Sequence, residues 1–376
     1  MKPLEGITVL DFSQFLSAPS ATLRLADLGA KVIKIERPGI GDICRTMYIS
    51  NCKIDGDSSL FHAINRNKES IALDLKDPAT KPQLERLILE ADVMVVNYRP
   101  GVAARLGVDY ESAAKINPSI VYGEVTGYGT TGPWVKKPGQ DLLAQALSGI
   151  CWLNGNADQA PMPMGLSVGD LFAGQHLAQG ILAAILRNKR EGIGAHVEVN
   201  LMKSLLDAQF EVFTTYLNDG QKPPVRSKIN NASAFIDAPY GIYETEDGFI
   251  AIAMVPIPRL GELIGCDALQ GYTDPQDWHI KRDEIKCVLA EHLSSNTTQH
   301  WLSLLEPADI WCSDVYTWKK LMATDAFDSL HMIQTVKRSN GTEIHTTCCP
   351  IIIDGQRPQG GPAAPTVGQD TDKYIA

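Results

Sequence analysis

The sequence predicts an α/β protein, a parallel sheet covered by crossover helices, followed by a smaller α+β domain. Three observations predict it. Short β-branched apolar runs alternate with helical stretches through the first half of the chain, the pattern of parallel βαβ units. The composition changes at Lys222-Pro223-Pro224, where a polar stretch to Asn231 reads as a linker. The length of 376 residues, 44% of them hydrophobic and 21% charged, suffices for two cores.

The strand-like runs lie at 7–12, 31–35, 70–75, 92–97 and 119–125. The first crossover, 20–28, carries Leu23, Leu25 and Leu28 and stops at Gly29, a residue suited to a left-handed C-terminal position. The second, 77–91, opens on Asp77-Pro78, an N-cap followed by proline at N1, and lines Leu84, Leu87 and Ile88 along one face. Residues 141–149 form another helical stretch and 171–189 a long one. The latter ends in Arg187-Asn188-Lys189-Arg190 before Gly192, so its last turn places cations at the negative end of the helix dipole. An alternating strand at 196–201 and a helix over 203–218 follow. Past the linker, 239–254 reads as a hairpin turning at Glu246-Asp247-Gly248. The expected domains are a large one over 1–221 and a small one over 222–328.

A net charge of −10 disfavours nucleic acid and anionic membrane as partners, since like charge repels phosphate unless a local basic pocket compensates. Eight scattered cysteines, with no C-x-x-C and an adjacent Cys348-Cys349 pair ill suited to a disulfide, read as reduced thiols. The first residues run straight into a strand pattern without the apolar core of a signal peptide, and no apolar run reaches the eighteen or so residues of a spanning helix. A cytoplasmic location is expected.

Familiar cofactor motifs are weak. The first loop, Ser13-Gln14-Phe15-Leu16-Ser17-Ala18-Pro19, has no glycine to admit a pyrophosphate. G-x-G-x-x-G occurs at 127–132, but Pro133-Trp134 and a loop through Gly139 follow where a dinucleotide site needs a helix. No phosphate-binding G-x-x-x-x-G-K-[ST] is present. The eight histidines are dispersed, so no metal site is expected, and His176 reads as a packed helix histidine. Gly165-Leu166-Ser167-Val168-Gly169 fits the serine-hydrolase elbow, yet Pro161 and Pro163 spoil the strand that must enter it.

Cations gather instead after the strands. Arg37, in Arg37-Pro38-Gly39-Ile40-Gly41, follows the second strand; Arg105 follows the fourth; Lys136-Lys137 lie beyond the fifth. Open α/β sheets bind ligands at that end, and scattered cations there suit a ligand with several phosphates, coenzyme A better than a simple metabolite. The plain structural reading of each is a solvated loop charge. Asp170, after Gly169 and ahead of Leu171, Leu177 and Ile181, reads structurally as an N-cap. Its chemical reading is a nucleophile: a carboxylate can open an activated acyl group, with the glycine admitting substrate and helix-start N–H groups stabilising an oxyanion.

Taken together, these stretches resemble the family III coenzyme A-transferases, the group that includes formyl-CoA and carnitine CoA-transferases. The resemblance runs nearly end to end, through Leu4 to Asp11, Leu28 to Gly39, Asn67 to Lys76, Asn97-Tyr98-Arg99-Pro100-Gly101, Gly127 to Pro133, Gln140-Asp141, Gly169-Asp170, Gly194-Ala195-His196-Val197 and Ala238-Pro239-Tyr240-Gly241. It implies a Rossmann-like large domain built from both termini, so that 329–376 completes 1–221, and interlocked homodimers. It implies that the aspartate matched by Asp170 attacks the acyl-CoA thioester, giving aspartyl-acyl and aspartyl-CoA intermediates. It implies coenzyme A binding by Leu16, Ser17, Arg37, Leu73, Lys76, Asn97, Arg105 and Lys137. The substrates implied are an acyl-CoA and a carboxylic acid, with no permanently bound cofactor.

Leu16 stands where some of these transferases carry a glutamine, with Gln14, two residues earlier, as the available amide; if the family's loop glutamine orients the substrate, its loss from that position counts against the small-acyl specificity of formyl-CoA transferase. The glycine-rich small-domain loop of some members is represented at nearest by Ile229-Asn230-Asn231-Ala232-Ser233. The alternative activity is an acyl-CoA racemase of the same family. Racemases typically show His-Asp where this chain has Gln140-Asp141, and a glutamine cannot take up a proton at working pH.

Overall fold

The structure, a computed structural model, describes residues 2–47, 51–358 and 360–375. In chain order the elements are β1 (Thr8–Asp11), α1 (Ser17–Asp27), β2 (Lys31–Glu36), the short strands β3 (Lys53–Ile54) and β4 (Asp57–Ser58), α2 (Ser59–Asn65), β5 (Lys68–Ala72), α3 (Lys81–Glu90), β6 (Val93–Val96), α4 (Val102–Leu106), α5 (Tyr110–Ile116) and β7 (Val121–Thr126). Then come α6 (Asp141–Ser148), α7 (Val168–Glu191), β8 (Ala195–Asn200), α8 (Leu201–Ala208), α9 (Phe210–Asn218), β9 (Gly241–Glu244), β10 (Phe249–Ile252) and α10 (Ile257–Ile264). The chain closes with α11 (Pro275–Ile280), α12 (Arg282–Leu293), α13 (Thr298–Leu305), β11 (Cys312–Asp314), α14 (Trp318–Leu321), α15 (Asp325–Leu330), β12 (Ile333–Lys337), β13 (Glu343–Thr347) and α16 (Thr371–Tyr374).

Two compact units divide the chain: Met1–Leu147, Ser167–Ala208 and Asp328–Ala376 form one, Ser148–Leu166 and Gln209–Phe327 the other. Residues 148–166 and 209–221, expected in the large domain, thus group with the second unit. The first unit is built on a six-stranded sheet of order β5-β2-β1-β6-β7-β8, parallel at every pairing. Leu10, Phe12, Ile33, Met94, Val96 and Tyr122 pack on one of its faces with Leu84, Leu87 and Ile88 of α3. On the other face α7 beds onto β7 at Gly123, where a Cβ would lie 2.9 Å from Ile181.

Local chemistry explains where the elements depart from the expected bounds. The strand expected at 70–75 begins at Lys68, because that lysine is drawn inside by Asp11 (2.9 Å), a partner the apolar pattern cannot reveal. The helix expected over 77–91 splits: Asp77 caps a short 3₁₀ turn over Pro78–Thr80, and α3 restarts at Lys81 with Pro82 in its first turn, where a missing N–H costs nothing. α1 begins three residues early and accepts Pro19 for the same reason. The helix expected over 203–218 breaks at Gln209, where the division between units falls.

The sheet's two edges are closed differently. Asp370 and Thr371 of the chain's last turn bond to the backbone of Ser70 and Ala72, covering β5. β8 instead carries exposed His196 and Glu198 with Glu124 of β7 beside them, charge that opposes strand addition. Arg338, past β12, reaches Asp55 (2.8 Å) and Asp57, and Arg45 joins Asp57 (2.8 Å) to Glu36 (2.6 Å).

The second unit carries the antiparallel sheet β11-β10-β9, with the expected hairpin pairing Glu244 to Phe249. Its core gathers Tyr243, Ile250, Leu260, Ile285, Leu289 and Trp301. The stretch read as a linker is pinned. Arg282 donates to the carbonyls of Ala234 and Val225, Lys286 to those of Asn230 and Tyr240, and Asn231 to that of Leu153.

Candidate active site

In a parallel sheet all strands end on one edge, and here the loops at that edge are fixed from beneath by buried charge. Asp11, the last residue of β1, accepts from Ser13 N–H (3.0 Å), Thr22 (2.7 Å) and Lys68. Burial alone would raise its pKa, but Lys68 and Lys34 with these hydrogen bonds hold it down to about 2. Lys34 donates to Ser13 O (2.7 Å) and pairs with Asp42 (2.9 Å). Asn97, after β6, accepts from Gln14 N–H (2.8 Å) and donates to Gln14 O (2.6 Å). The loop that presents Leu16 and Ser17 is therefore held on three sides, with Phe15 at φ 64° marking the bend.

Asp170 lies in the first turn of α7, two residues inside its start rather than at the N-cap. The N-cap is Ser167, which makes no side-chain cap. The cap comes from α6: Asp141 Oδ1 accepts from the N–H of Gly169 (2.8 Å) and Asp170 (3.3 Å), while Gln145 donates to Asp141 Oδ2 (2.7 Å). These two N–H groups are thereby occupied, and an oxyanion must be served by other donors. Gly169 is buried rather than open to substrate; a Cβ there would lie 3.0 Å from Asp141 Oδ1 and 3.2 Å from Leu205. The segment between β7 and α6 closes backbone on backbone, since a Cβ at Gly127 would stand 2.4 Å from the Gly139 Cα. That closure delivers Asp141 beside α7. The glycines of the G-x-G-x-x-G match thus shape a crossed loop, with no helix opening after them.

Burial, then the like charge of Asp141, raises Asp170 to about 7, and a hydrogen bond from the Ser17 hydroxyl opposes the rise. Among the described residues no cation pairs with it. The partners needed to bring α1 so close are small: a Cβ at Gly174, one turn along α7, would lie 2.2 Å from Ser20 Oγ and 2.6 Å from Ser17 O.

Every residue expected to bind coenzyme A follows a strand at this same edge. Arg37, Lys76, Arg105 and Lys137 are exposed, Leu16 and Asn97 half-buried, Ser17 and Leu73 buried. Leu73 has its side chain in the core, which leaves only its backbone for the expected role. Asn97 is engaged with the first loop, as above. His176, expected as a packed histidine, bonds Ser204 (2.9 Å) and Asp207 (3.1 Å) of α8. No strand enters Ser167, so the hydrolase elbow is absent. Sequence reasoning missed the capping role of Asp141 and the contact at Gly174; Gln140-Asp141 was visible as a motif, but its partner lies 28 residues away. It also missed the Glu124–His196–Glu198 cluster, in which Glu124 draws the His196 pKa upward.

The site thus sets a partly buried carboxylate, Asp170, and exposed cations after the strands of a parallel α/β sheet. Residues 4–371 match the sequence profile of CoA-transferase family III. The chain is 36% identical over 320 residues to succinyl-CoA:glutarate CoA-transferase of Mus musculus, covering 82% of this chain and 71% of that protein. It is 35% identical to acetyl-CoA:oxalate CoA-transferase of Acetobacter aceti (82% and 79% covered). Among solved structures, Rv3272 from Mycobacterium tuberculosis superposes with a TM-score of 0.85 at 29% identity over 100% of this chain and 99% of that one. A CaiB/BaiF family protein from Brucella suis gives 0.84 at 27% identity, with 99% and 98% covered. The chain belongs to CoA-transferase family III. It is a CoA-transferase, and its substrates are coenzyme A thioesters and carboxylic acids.

Proposed function

We propose that Asp170 is the nucleophile and that transfer runs through aspartyl-acyl and aspartyl-CoA intermediates. The observation that carries this reading is an unpaired, partly buried carboxylate whose pKa is raised to about 7, at the sheet edge that open α/β proteins use for ligands. A carboxylate in that state is weakly solvated and reactive once ionised, as about half of it is near pH 7. The Asp170 carboxylate attacks the thioester carbonyl, the C–S bond breaks, and a mixed anhydride forms with coenzyme A thiolate released. The thiolate then attacks Asp170 Cγ and expels the first acid, leaving a β-aspartyl thioester. The second acid attacks the same carbon, and the returning thiolate takes the new acyl group.

Arg37, Lys76, Arg105 and Lys137 serve the phosphates as exposed point charges and forks, with Leu16, Ser17, Asn97 and the Leu73 backbone along the rest of the coenzyme. Two relatives are named for glutarate and oxalate, which supports a dicarboxylic acid as acceptor. Transferase names, together with Gln140 where a racemase needs a second base, favour transfer over racemisation. The homodimer of the resemblance finds support in α9, none of whose residues is buried although it carries Phe210, Phe213 and Leu217. Among the described residues no helix is long and apolar enough to cross a membrane. Buried free thiols at Cys44, Cys266, Cys348 and Cys349 support a reducing, cytoplasmic compartment.

Asp170→Ala should abolish transfer while coenzyme A affinity stays within about tenfold, because a nucleophile contributes after binding. Acyl-CoA followed by hydroxylamine should label Asp170, read by peptide mass. Full turnover by the variant, or an active enzyme with an unlabelled peptide, defeats the mechanism.

A further inference from the structure

We infer that Asn97 is a positioning residue, whose part in coenzyme binding is played through the backbone of the first loop by holding it in a strained conformation. This rests on the reading that Leu16 and Ser17 lie along the coenzyme. Its own ground is the backbone of Phe15. Among the described residues, every other non-glycine residue at positive φ is an asparagine, aspartate, glutamine or histidine; Phe15, at 64°, is the one apolar side chain there. A bulky residue is strained in that conformation and keeps it only where the surroundings over-determine it, a feature that gathers at ligand sites. Core packing does not hold the ring, which is 45% exposed. Hydrogen bonds to the flanking peptides do.

The two peptides ahead of Phe15 are each gripped at both ends. In the Ser13–Gln14 peptide, Lys34 Nζ donates to the carbonyl (2.7 Å) and Asn97 Oδ1 accepts from the N–H (2.8 Å). In the Gln14–Phe15 peptide, Asn97 Nδ2 donates to the carbonyl (2.6 Å) and Asp42 Oδ1 accepts from the N–H (3.4 Å). Asn97 thus bonds to both. On the far side, Ser20 N–H donates to Leu16 O (2.9 Å) as α1 opens. Phe15 therefore joins a peptide plane fixed by Asn97 and Asp42 to a helix start fixed by α1, and a positive φ is the rotation that closes the gap. Lys34 stands in β2, Asp42 beyond it and Asn97 just after β6, so the clamp belongs to the sheet edge and is in place before a ligand arrives.

Without Asn97 the Gln14–Phe15 peptide can turn and Phe15 relaxes to a negative φ. The loop then spends only part of its time in the conformation that meets the coenzyme, and apparent affinity falls with that fraction. A competent population of about a tenth weakens binding about tenfold. Glycine takes either sign of φ freely, so at position 15 it depends least on the clamp.

The test measures coenzyme A affinity by calorimetry in Phe15→Ala and Phe15→Gly, each with and without Asn97→Ala, with circular dichroism to confirm folding. Both substitutions at position 15 remove the ring, so any contact it makes with ligand cancels between them. With Asn97 in place the two should bind alike. With Asn97→Ala added, the Phe15→Ala protein should weaken about tenfold and the Phe15→Gly protein by a small part of that. KM for acyl-CoA should follow the affinity while kcat at saturation is kept. Equal loss in both would mean that Asn97 acts on the coenzyme directly, and loss in neither that the loop needs no clamp; either result overturns the inference. Asn97→Leu, close to asparagine in size and without its polar groups, repeats the comparison if Asn97→Ala does not fold. Hydrogen exchange checks the parent reading separately. Coenzyme A should slow exchange over residues 13–17 of the wild type, and no protection there overturns that reading and the role of Asn97 with it.

Discussion

At Asp170 the environment works against ionisation while the proposed chemistry requires it. Its pKa, raised from 3.8 to about 7, means that between those values the folded protein holds a proton the unfolded chain has lost. Stability therefore falls as pH rises from about 4 to about 7 and stays reduced above. Asp170→Asn should show a Tm close to wild type near pH 4 and a higher one at pH 8; equal values at both would deny that the carboxylate is under strain. In the wild type, kcat/KM for acyl-CoA should climb through about pH 7 and level off as the nucleophile ionises. Asp141→Asn keeps an oxygen for the Gly169 N–H but removes the like charge, so its limb should move to lower pH. A limb that stays in place would mean that Asp141 does not act on Asp170 through charge. The position of Asp170 was legible from Gly169-Asp170 and a following apolar face. Its pKa was not, since burial and the charge of Asp141 arise only when α6 and α7 meet.

At the scale of elements, α7 depends on an acceptor that its own sequence does not supply. Asp141→Ala leaves two first-turn N–H groups without their partner, and by the usual worth of a cap should cost about 1–2 kcal/mol in denaturant titration, with transfer falling more than stability. Loss of neither would mean that solvent replaces the cap without consequence. The βαβ rhythm, the second-unit hairpin and the long α7 were readable because period and punctuation are local. Three features were not. Lys68 enters the sheet because Asp11 waits 57 residues earlier. Pro82 restarts α3, although Asp77-Pro78 offers the more obvious start. Gly127 meets Gly139 through a crossing that spacing alone does not suggest.

The whole molecule joins distant parts of its sequence. The chain's last turn covers β5, and Arg338 fastens β12 to Asp55 and Asp57, so the sheet depends on residues some 300 positions away. The exposed apolar row on α9 is where association of two chains would cover surface that the single chain leaves wet. If the proposed dimer uses this row, the wild type should sediment as a dimer and Phe210→Glu as a monomer; a monomeric wild type would contradict the dimer, and an unchanged dimer would put the partner contact elsewhere. The proposed reaction, finally, predicts a transfer of atoms that no simple binding protein performs. When the second acid attacks Asp170 Cγ and the thiolate then takes its acyl group, one oxygen of that acid remains on Asp170. The most direct measurement is therefore the mass of the Asp170 peptide after turnover with acyl-CoA and a heavy-oxygen-labelled acid. Heavy oxygen should appear in that peptide only when both substrates are present, and a fully active enzyme whose Asp170 stays unlabelled would contradict covalent catalysis at this residue.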